Sequence, residues 1–335
     1  MTRGMRLALF AAGLVVVAVL PAFVNDFRAS RLATVGVYFI AVLGLNLVSG
    51  YTGQISLGHG AFMAVGGYTT AILMASHGVR DIWTIPLAGL VAGVAGLLVG
   101  LPALRLSGFY LALATFGIAI SVPSIISKAE RFTGGTTGLN LFAIPTQTGG
   151  GVEVKILGRT LTNNDWLYYL TWTIGLVLFA AAWALLSGRL GRAFRATRDS
   201  EIAAASSGVN LAATKTIAFG VSAFYAGVAG SLYALGTAYV NPSTFPIALS
   251  ITLIAGAAVG GLRSLVGPAF AAPFIVYMPI YAAKISKTAP SVVYGIVLIL
   301  FMLVLPAGVG GLVGSVASRR GSGWPRRGTG RTRRV

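Results

Sequence analysis

Long stretches without Asp, Glu, Lys or Arg dominate this chain, and short charged segments separate them. The stretches long enough to consider as membrane crossings are 7–25, 32–79, 82–104, 106–127, 132–152, 166–188, 216–262, 264–283 and 288–318. A helix of about 20 apolar residues crosses the ~30 Å hydrocarbon layer of a bilayer. The pattern therefore predicts a protein built mostly from transmembrane helices.

Two stretches, 32–79 and 216–262, are too long for one crossing, and each is expected to hold two. The stretch 132–152 is rich in Gly, Thr and Pro, which is typical of a loop. The first stretch follows two arginines, as a signal peptide would, but its near-span length and the lack of an Ala-x-Ala site favour an uncleaved span. We therefore predict an all-α, polytopic integral membrane protein of about 10 transmembrane helices, within the range of roughly 9 to 11.

The composition excludes several classes of protein. Of the 335 residues, 56% are hydrophobic and only 10% are charged, whereas a soluble domain carries roughly 25% charged residues. An ordinary soluble enzyme, a disordered chain and a nucleic-acid-binding domain are therefore not expected. The absence of Cys and the presence of only two His leave little material for a disulfide scaffold, a metal site or a thiol nucleophile, so we expect no metal and no cofactor.

The distribution of positive charge predicts the orientation in the membrane. An even number of spans places both termini on one side, and placing them inside puts sixteen of the 25 Lys and Arg residues inside. Because loops on the cytoplasmic side carry an excess of Lys and Arg, both termini are predicted to be cytoplasmic. The tail 316–335 is rich in Arg and is predicted to be a disordered anchor to anionic membrane lipid.

A glycine-rich segment interrupts the apolar pattern over residues 44–60. Its polar side chains are Asn46, Ser49, Thr52, Gln54, Ser56 and His59. Broken backbone within a bilayer persists only where protein or a water-filled cavity surrounds it, so such a segment points to a transport pathway. The candidate pathway residues are Asn46, Thr52, Gln54, Ser56 and His59. The alternative is that residues 50–57 form only a tight inner turn between two spans.

Two loops are long enough to have a function of their own. The loop 128–165 is predicted to lie outside and is long enough for a small hairpin cap. The inner loop 189–215 carries four arginines at three-residue spacing and then a short predicted helix, with Asp199 or Ser200 as N-cap and Gly208 beyond its end. So short a helix is marginal alone, so it either docks on the bundle or a partner, or is a solvated turn beside a basic anchor.

No energy-coupling group is evident within the spans. The chain has no phosphate-binding G-x-x-x-x-G-K-[ST] motif, and its Asp and Glu residues fall in predicted loops. Carriers driven by ion gradients usually place ionisable groups within their spans. These features favour a conduit energised by another protein over a stand-alone secondary carrier or a membrane enzyme.

Two segments carry a family resemblance. The segment 44–73 resembles the hallmark of the permease subunits of ABC importers for branched-chain amino acids, the LivM/LivH type. The matching residues there are Gly53, Gln54, Ser56, Leu57, Gly58, His59 and Phe62. The segment 195–234 is similar to the cytoplasmic coupling loop of these permeases, although Ile202 separates the acidic residue from the two alanines that usually follow it directly.

This resemblance implies a permease domain over residues 1–315 that includes the cytoplasmic coupling loop 189–215. It implies a bacterial inner-membrane subunit, without catalytic residues, that pairs with a second homologous permease. Two cytoplasmic ATP-binding subunits would drive import, and an extracytoplasmic binding protein would deliver the substrate. The residues implied to contact an ATPase are Arg198, Asp199, Glu201, Ala203, Ala204 and Gly208. An alternative cargo for the same architecture is urea, a short amide or another small organic solute.

Overall fold

The computed structural model describes residues 25–79, 81–104, 106, 108–141, 155–156, 159–160, 162–285, 290–305 and 308–311. The helices are α1 Asp26–Leu45, α2 His59–His77, α3 Asp81–Ala103, α4 Phe109–Lys128, α5 Glu130–Thr133, α6 Asn163–Ser187, α7 Arg189–Asp199, α8 Glu201–Ser206, α9 Leu211–Thr237, α10 Ile247–Gly260, α11 Gly267–Ile285 and α12 Pro290–Val304. A π-helical turn extends α1 over Asn46–Gly50, and a 3₁₀ turn, Pro242–Thr244, precedes α10. The strands have two residues each: β1 Leu139–Asn140, β2 Lys155–Ile156, β3 Arg159–Thr160 and β4 Tyr239–Val240.

Seven helical segments of the described chain are long and apolar enough to cross a membrane. They are Asp26–Gly50, Ile82–Pro102, Phe109–Lys128, Asn163–Ser187, Leu211–Thr237, Pro242–Gly260 and Val292–Gly311. The chain is therefore an all-α, multi-pass membrane protein, as the apolar pattern predicts. Helices α2 and α11 also lie where crossings are predicted but are not among the seven, and the stretch 7–24 lies outside the described residues. The total of about ten stays a prediction.

Helix α9 lies at the centre of the bundle, because most of its length is buried between α1, α2 and α3. Glycine permits the close approach. A Cβ added to Gly66 of α2 would lie 2.1 Å from the carbonyl oxygen of Gly227, and one added to Gly96 of α3 would lie 2.3 Å from the Cβ of Ala223. Small residues at helix crossings let the backbones pack by van der Waals contact, which holds helices together in lipid.

One end of the bundle, here called the strand end, carries the short strands. β1 pairs antiparallel with β4, so the loop after α5 is joined to the end of α9. β2 pairs antiparallel with β3, as expected for a small hairpin in the loop 128–165. The carboxylate of Asp26 at the start of α1 accepts hydrogen bonds from Thr162 and Asn164. Residues 142–154 and the tail 316–335 lie outside the described residues.

The opposite end, here called the arginine end, holds residues 50–53, helices α7 and α8 and the connection 261–266. The amide Nδ2 of Asn46 donates to the carbonyl oxygen of Ser264 at 3.2 Å. A Cβ added to Gly50 would lie 1.6 Å from the carbonyl oxygen of Leu262, so these two backbones touch directly. The end of α1 is therefore fixed against the connection between α10 and α11.

Candidate transport pathway and coupling loop

The glycine-rich segment is a break between two helices that begins at the arginine end and buries most of its polar side chains. Helix α1 passes into the π-helical turn Asn46–Gly50, residues 51–58 are irregular, and α2 begins at His59. We call residues 46–59 the polar break. Gly53 has a φ of +73°, which glycine adopts without a steric penalty from a Cβ. Short π-helical insertions are frequent at functional sites because they disturb the regular hydrogen bonding of a helix.

All five predicted pathway residues lie in the polar break and are buried. The exposed fractions are 1% for Asn46, 3% for Thr52, 5% for Gln54, 2% for Ser56 and 1% for His59. Residues 51–58 also connect α1 to α2, with Gly53 and Ile55 exposed, so the alternative of a tight inner turn stays open. The structure thus buries all five side chains, and their role in transport stays a prediction.

Several polar groups in and beside the break are paired. His59 Nε2 lies 2.8 Å from the carbonyl oxygen of Ala41, within hydrogen-bonding distance. The amide of Leu57 donates to the hydroxyl of Thr115 on α4 at 2.9 Å. The amide of Gly60 donates to the hydroxyl of Ser250 on α10, also at 2.9 Å. These bonds hold the start of α2 between α1, α4 and α10.

Other buried polar atoms of the break have no partner. Of nine buried side-chain atoms without a hydrogen bond in the described part of the chain, five belong to the break: Asn46 Oδ1, Ser49 Oγ, Gln54 Oε1, Gln54 Nε2 and His59 Nδ1. An unpaired polar group in an apolar interior costs roughly 1–3 kcal/mol by mutational measures. This concentration of unpaired atoms distinguishes the polar break from the rest of the described chain.

The polar break touches the coupling loop through Arg198, the penultimate residue of α7. Arg198 Nη1 donates to the carbonyl oxygen of Gly50 at 3.4 Å, and a Cβ added to Gly53 would lie 2.9 Å from Arg198 Cγ. Arg198 also forms an ion pair with Asp199 at 2.8 Å. Burial raises the pKa of the neighbouring Tyr51 hydroxyl, while the positive charges of Arg195 and Arg198 oppose that shift.

The coupling loop contains two helices where the sequence predicts one. Helix α8 has the predicted caps: the hydroxyl of Ser200 accepts from the amide of Ala203 at 3.2 Å, and Gly208 follows with a φ of +82°. Helix α7 precedes it and buries Phe194 completely, which fixes this arginine-bearing segment against the bundle. Thus α7 supports α8 as a short, ordered projection at the arginine end.

Helix α8 is fixed on one face and exposed on the other. Glu201 forms an ion pair with Lys215 of α9 at 2.8 Å, and Lys215 is 6% exposed. Ala204 is buried at 3% exposure, whereas Ile202 is 82% exposed. Ile202 is therefore the large apolar side chain on the exposed face of α8.

Some residues of the site are absent from the sequence-based candidates. Ile202 draws attention only as an interruption of the coupling motif. Lys215 matches the family's coupling loop but is not among the candidate site residues, and Ser250 carries no local signal. Their importance depends on contacts between distant segments. Within the described ranges, no group of three or more His, Asp or Glu residues is arranged to hold a metal ion.

Comparisons with known proteins agree with this architecture. The family described as "Branched-chain amino acid transport system / permease component" matches residues 28–305. The LivM permease protein of Salmonella typhimurium is 36% identical over 80% of this chain and 67% of its own length, and LivM of Escherichia coli is 36% identical over 76% of this chain and 64% of its own. The chain thus spans about two thirds of the LivM proteins. LivH of Salmonella typhimurium is 26% identical over 81% of this chain and 90% of its own length.

No solved structure matches the chain significantly. The family match covers every helix from α2 to α12 and nearly all of α1. It therefore includes both the polar break and the coupling loop, the two segments on which the resemblance is based. The chain belongs to the permease family of branched-chain amino acid transport systems.

Proposed function

We propose that this chain is the membrane-spanning permease subunit of an ATP-driven importer of branched-chain amino acids in a bacterial inner membrane. It pairs with a second homologous permease. Two cytoplasmic ATP-binding subunits supply the energy, and an extracytoplasmic binding protein delivers the substrate. The observation that carries this proposal is the direct contact of the polar break with the coupling loop at Arg198.

The arginine end faces the cytoplasm in this proposal. Arg189, Arg192, Arg195 and Arg198 lie on α7, and Arg263 lies between α10 and α11 at the same end. Lys and Arg are enriched in the cytoplasmic loops of membrane proteins, so this end matches the inner side. The strand end then faces the binding protein.

Helix α8 is the docking element for an ATP-binding subunit. Its exposed Ile202 enters an apolar pocket of the partner, while Glu201 and buried Ala204 keep the helix seated on the bundle. A motion of α8 is passed on along two connections, through Lys215 to the central helix α9 and through Arg198 to the polar break. The first connection is an ion pair of α8 itself and the second starts from Arg198 of the preceding helix α7, so a joint shift of α7 and α8 displaces the polar break.

The polar break is the part of the pathway that changes between states. Its unpaired amide and hydroxyl groups are buried in this conformation, and a change of conformation can pair them with the solute or with each other. Discontinuous helices of this kind form substrate sites in many transporters. The polar break therefore opens and closes the pathway, and α8 transmits the movement of the ATP-binding subunit to it.

The variant Ile202→Asp tests the docking role, with Ile202→Leu as the matched control. We expect the Asp variant to insert normally, to lose co-purification with the ATP-binding subunit and to lose leucine uptake, because a carboxylate is poorly tolerated in an apolar pocket. The Leu variant keeps both properties. Normal co-purification and uptake by the Asp variant would refute docking through α8.

A further inference from the structure

A cavity of about 640 Å³ opens at the strand end between α1, α9, α10 and α11. Its volume falls within the ~300–1,000 Å³ typical of small-molecule sites. Every described residue that lines it is uncharged. The cavity lies apart from the coupling loop, and none of the predicted pathway residues lines it.

One side of the cavity offers hydrogen-bonding groups. The turn before α10 is fixed by Asn241, whose Oδ1 accepts from the hydroxyls of Ser243 and Thr244 at 2.9 and 2.8 Å. Among the described residues, the Nδ2 group of Asn241 donates no hydrogen bond, so it can donate to a bound solute. Tyr38 and Tyr233 face each other edge to face, with ring centroids 6.4 Å apart. Their hydroxyls and the amide can donate to a carboxylate, and the hydroxyls can also accept from an ammonium group.

The other side of the cavity is aliphatic. Leu249 of α10, Ile275 and Pro279 of α11, and Pro246 line it. An aliphatic side chain of a bound solute would be removed from water there, which is worth about 0.8 kcal/mol for each buried CH₂ group. The two sides together fit a small amphiphile with a polar end and a short branched aliphatic end.

The neutral lining discriminates by net charge. A solute with a net charge would meet no counter-ion among the described lining residues, so its charge would gain no ion pair in the cavity. A zwitterion has no net charge, and its carboxylate and ammonium find hydrogen bonds on the polar side. The cavity thus favours a zwitterionic amino acid with an apolar side chain over lysine or glutamate.

One lining residue of the cavity lies beside the start of α2, the helix that follows the polar break. Leu249 lines the cavity, and its Cβ would lie 3.7 Å from a Cβ added to Gly60, the second residue of α2. The next residue of α10, Ser250, accepts the hydrogen bond from the Gly60 amide. A solute leaving the cavity toward the arginine end therefore meets the start of α2 and the polar break.

We propose that this cavity is a loading site that holds a net-neutral, zwitterionic amino acid with an aliphatic side chain before it passes the polar break. The proposal rests on the function proposed above, because it assumes that the strand end faces outward and that the chain transports such a solute. It adds a binding position and a basis for selectivity, with Tyr38, Tyr233 and Asn241 at the polar end and Leu249 and Ile275 at the aliphatic end.

The natural chain contains no Cys, so a single introduced Cys can be labelled without background. We propose Thr252→Cys and Thr237→Cys, which line the cavity, and Ser76→Cys, which is exposed near the strand end outside it. Each full-length variant replaces the wild-type chain in intact cells, and the rate of labelling by a membrane-impermeant maleimide is measured with and without leucine, lysine or glutamate.

We expect leucine at about four times its Kd to slow labelling of Thr252→Cys and Thr237→Cys by about fivefold, from simple occupancy. Lysine and glutamate should leave both rates unchanged, and Ser76→Cys should be labelled equally in every case. Equal labelling with and without leucine, or no labelling of both cavity positions while Ser76→Cys reacts, would overturn the loading site. Protection by lysine would overturn its selectivity.

The outcomes separate this inference from the proposed function. Labelling of Ser76→Cys reports the orientation, and leucine uptake by the same cells reports transport. Normal uptake without protection contradicts the loading site alone. Failure of Ser76→Cys to react, or absence of leucine uptake by the wild-type chain, contradicts the proposed function.

Discussion

At the residue scale, the decisive feature is a set of buried polar side chains that are only partly paired. The unpaired amide of Gln54 is the clearest case, because both its oxygen and its nitrogen lack a partner among the described residues. A side chain retained only for stability would not be a buried amide without hydrogen bonds. Gln54 is therefore the residue at which the pathway role and a purely structural role predict opposite results.

Replacing Gln54 by Leu separates stability from transport. Removing an unpaired buried amide in favour of an apolar side chain of similar size is expected to leave the melting temperature equal or higher. Leucine uptake should fall about tenfold, the effect of losing an interaction of ~1.4 kcal/mol in the transport cycle. Thr69→Val is a control, since the Thr69 hydroxyl bonds only its own helix. Unchanged uptake by the Leu variant would show that the polar break is only a structural turn.

The contact between Gly53 and Arg198 leads to a second prediction. Gly53→Ala combines a positive φ with a clash at Arg198 Cγ, whereas Gly78→Ala changes a residue with a φ of +60° that has nothing within 4 Å. Both changes cost about 1 kcal/mol of backbone strain. Only the Gly53 variant is expected to uncouple ATP hydrolysis from leucine uptake, measured as the ratio of the two rates in proteoliposomes. Equal ratios for the two variants would mean that this contact carries no coupling.

At the element scale, a few specific contacts hold the short helix α8 and the long helices α2 and α9 in place. Helix α8 has only six residues, so its order depends on the Ser200 cap, buried Ala204 and the Glu201–Lys215 ion pair. Helices α2 and α9 depend on backbone contact at glycine. Each element therefore has one position where a small change has a large and specific effect.

Glu201→Ala leaves the ammonium of Lys215 buried without its partner. We expect uptake to fall, because α8 loses its ion pair with α9 at a cost of about 1–3 kcal/mol.

Gly208→Leu, which forces a bulky side chain into a positive-φ position, should have the same effect while insertion stays normal. The double variant Glu201→Ala/Lys215→Met removes the unpaired charge and should recover thermal stability without recovering full uptake. Wild-type uptake in all three variants would contradict the role of α8 in transmitting movement from the ATP-binding subunit.

Gly66→Ala tests the contact between α2 and α9. The added methyl would lie 2.1 Å from the carbonyl oxygen of Gly227, so the helices must separate. We expect less folded protein in detergent and a lower melting temperature. The free energy of unfolding should fall by about 1–3 kcal/mol. Gly117→Ala on α4, with nothing within 4 Å, should be neutral or slightly stabilising. A Gly66 variant as stable as the Gly117 variant would show that the packing at this crossing is looser than described.

At the scale of the whole molecule, the apolar pattern predicts helices well because charge-free runs and helix caps are local signals. The positions of α3, α6 and α9 follow from it, and so do Ser200 and Gly208 at the ends of α8. The pairing of β1 with β4 does not, because it joins two-residue strands about a hundred positions apart. Two residues are too few to display the alternation that marks a strand.

The candidate site is predictable in its parts but not in its assembly. Asn46, Gln54 and His59 are identified from their cost in an apolar environment, and Glu201 from the coupling motif. The contact of Arg198 with Gly50 and Gly53 joins segments separated by about 150 residues, and no local pattern specifies it. The same holds for Lys215 as the partner of Glu201. Long-range packing decides these pairs, and the structure supplies them.

The most direct test of the account measures leucine transport by the reconstituted chain with and without its ATP-binding partners. We expect proteoliposomes holding the complete transporter and binding protein to accumulate leucine only when ATP is hydrolysed. Liposomes holding this chain alone should accumulate none, whether a proton gradient, a sodium gradient or no gradient is applied. Accumulation of leucine by the chain alone under an ion gradient would contradict the central claim that another subunit drives this permease.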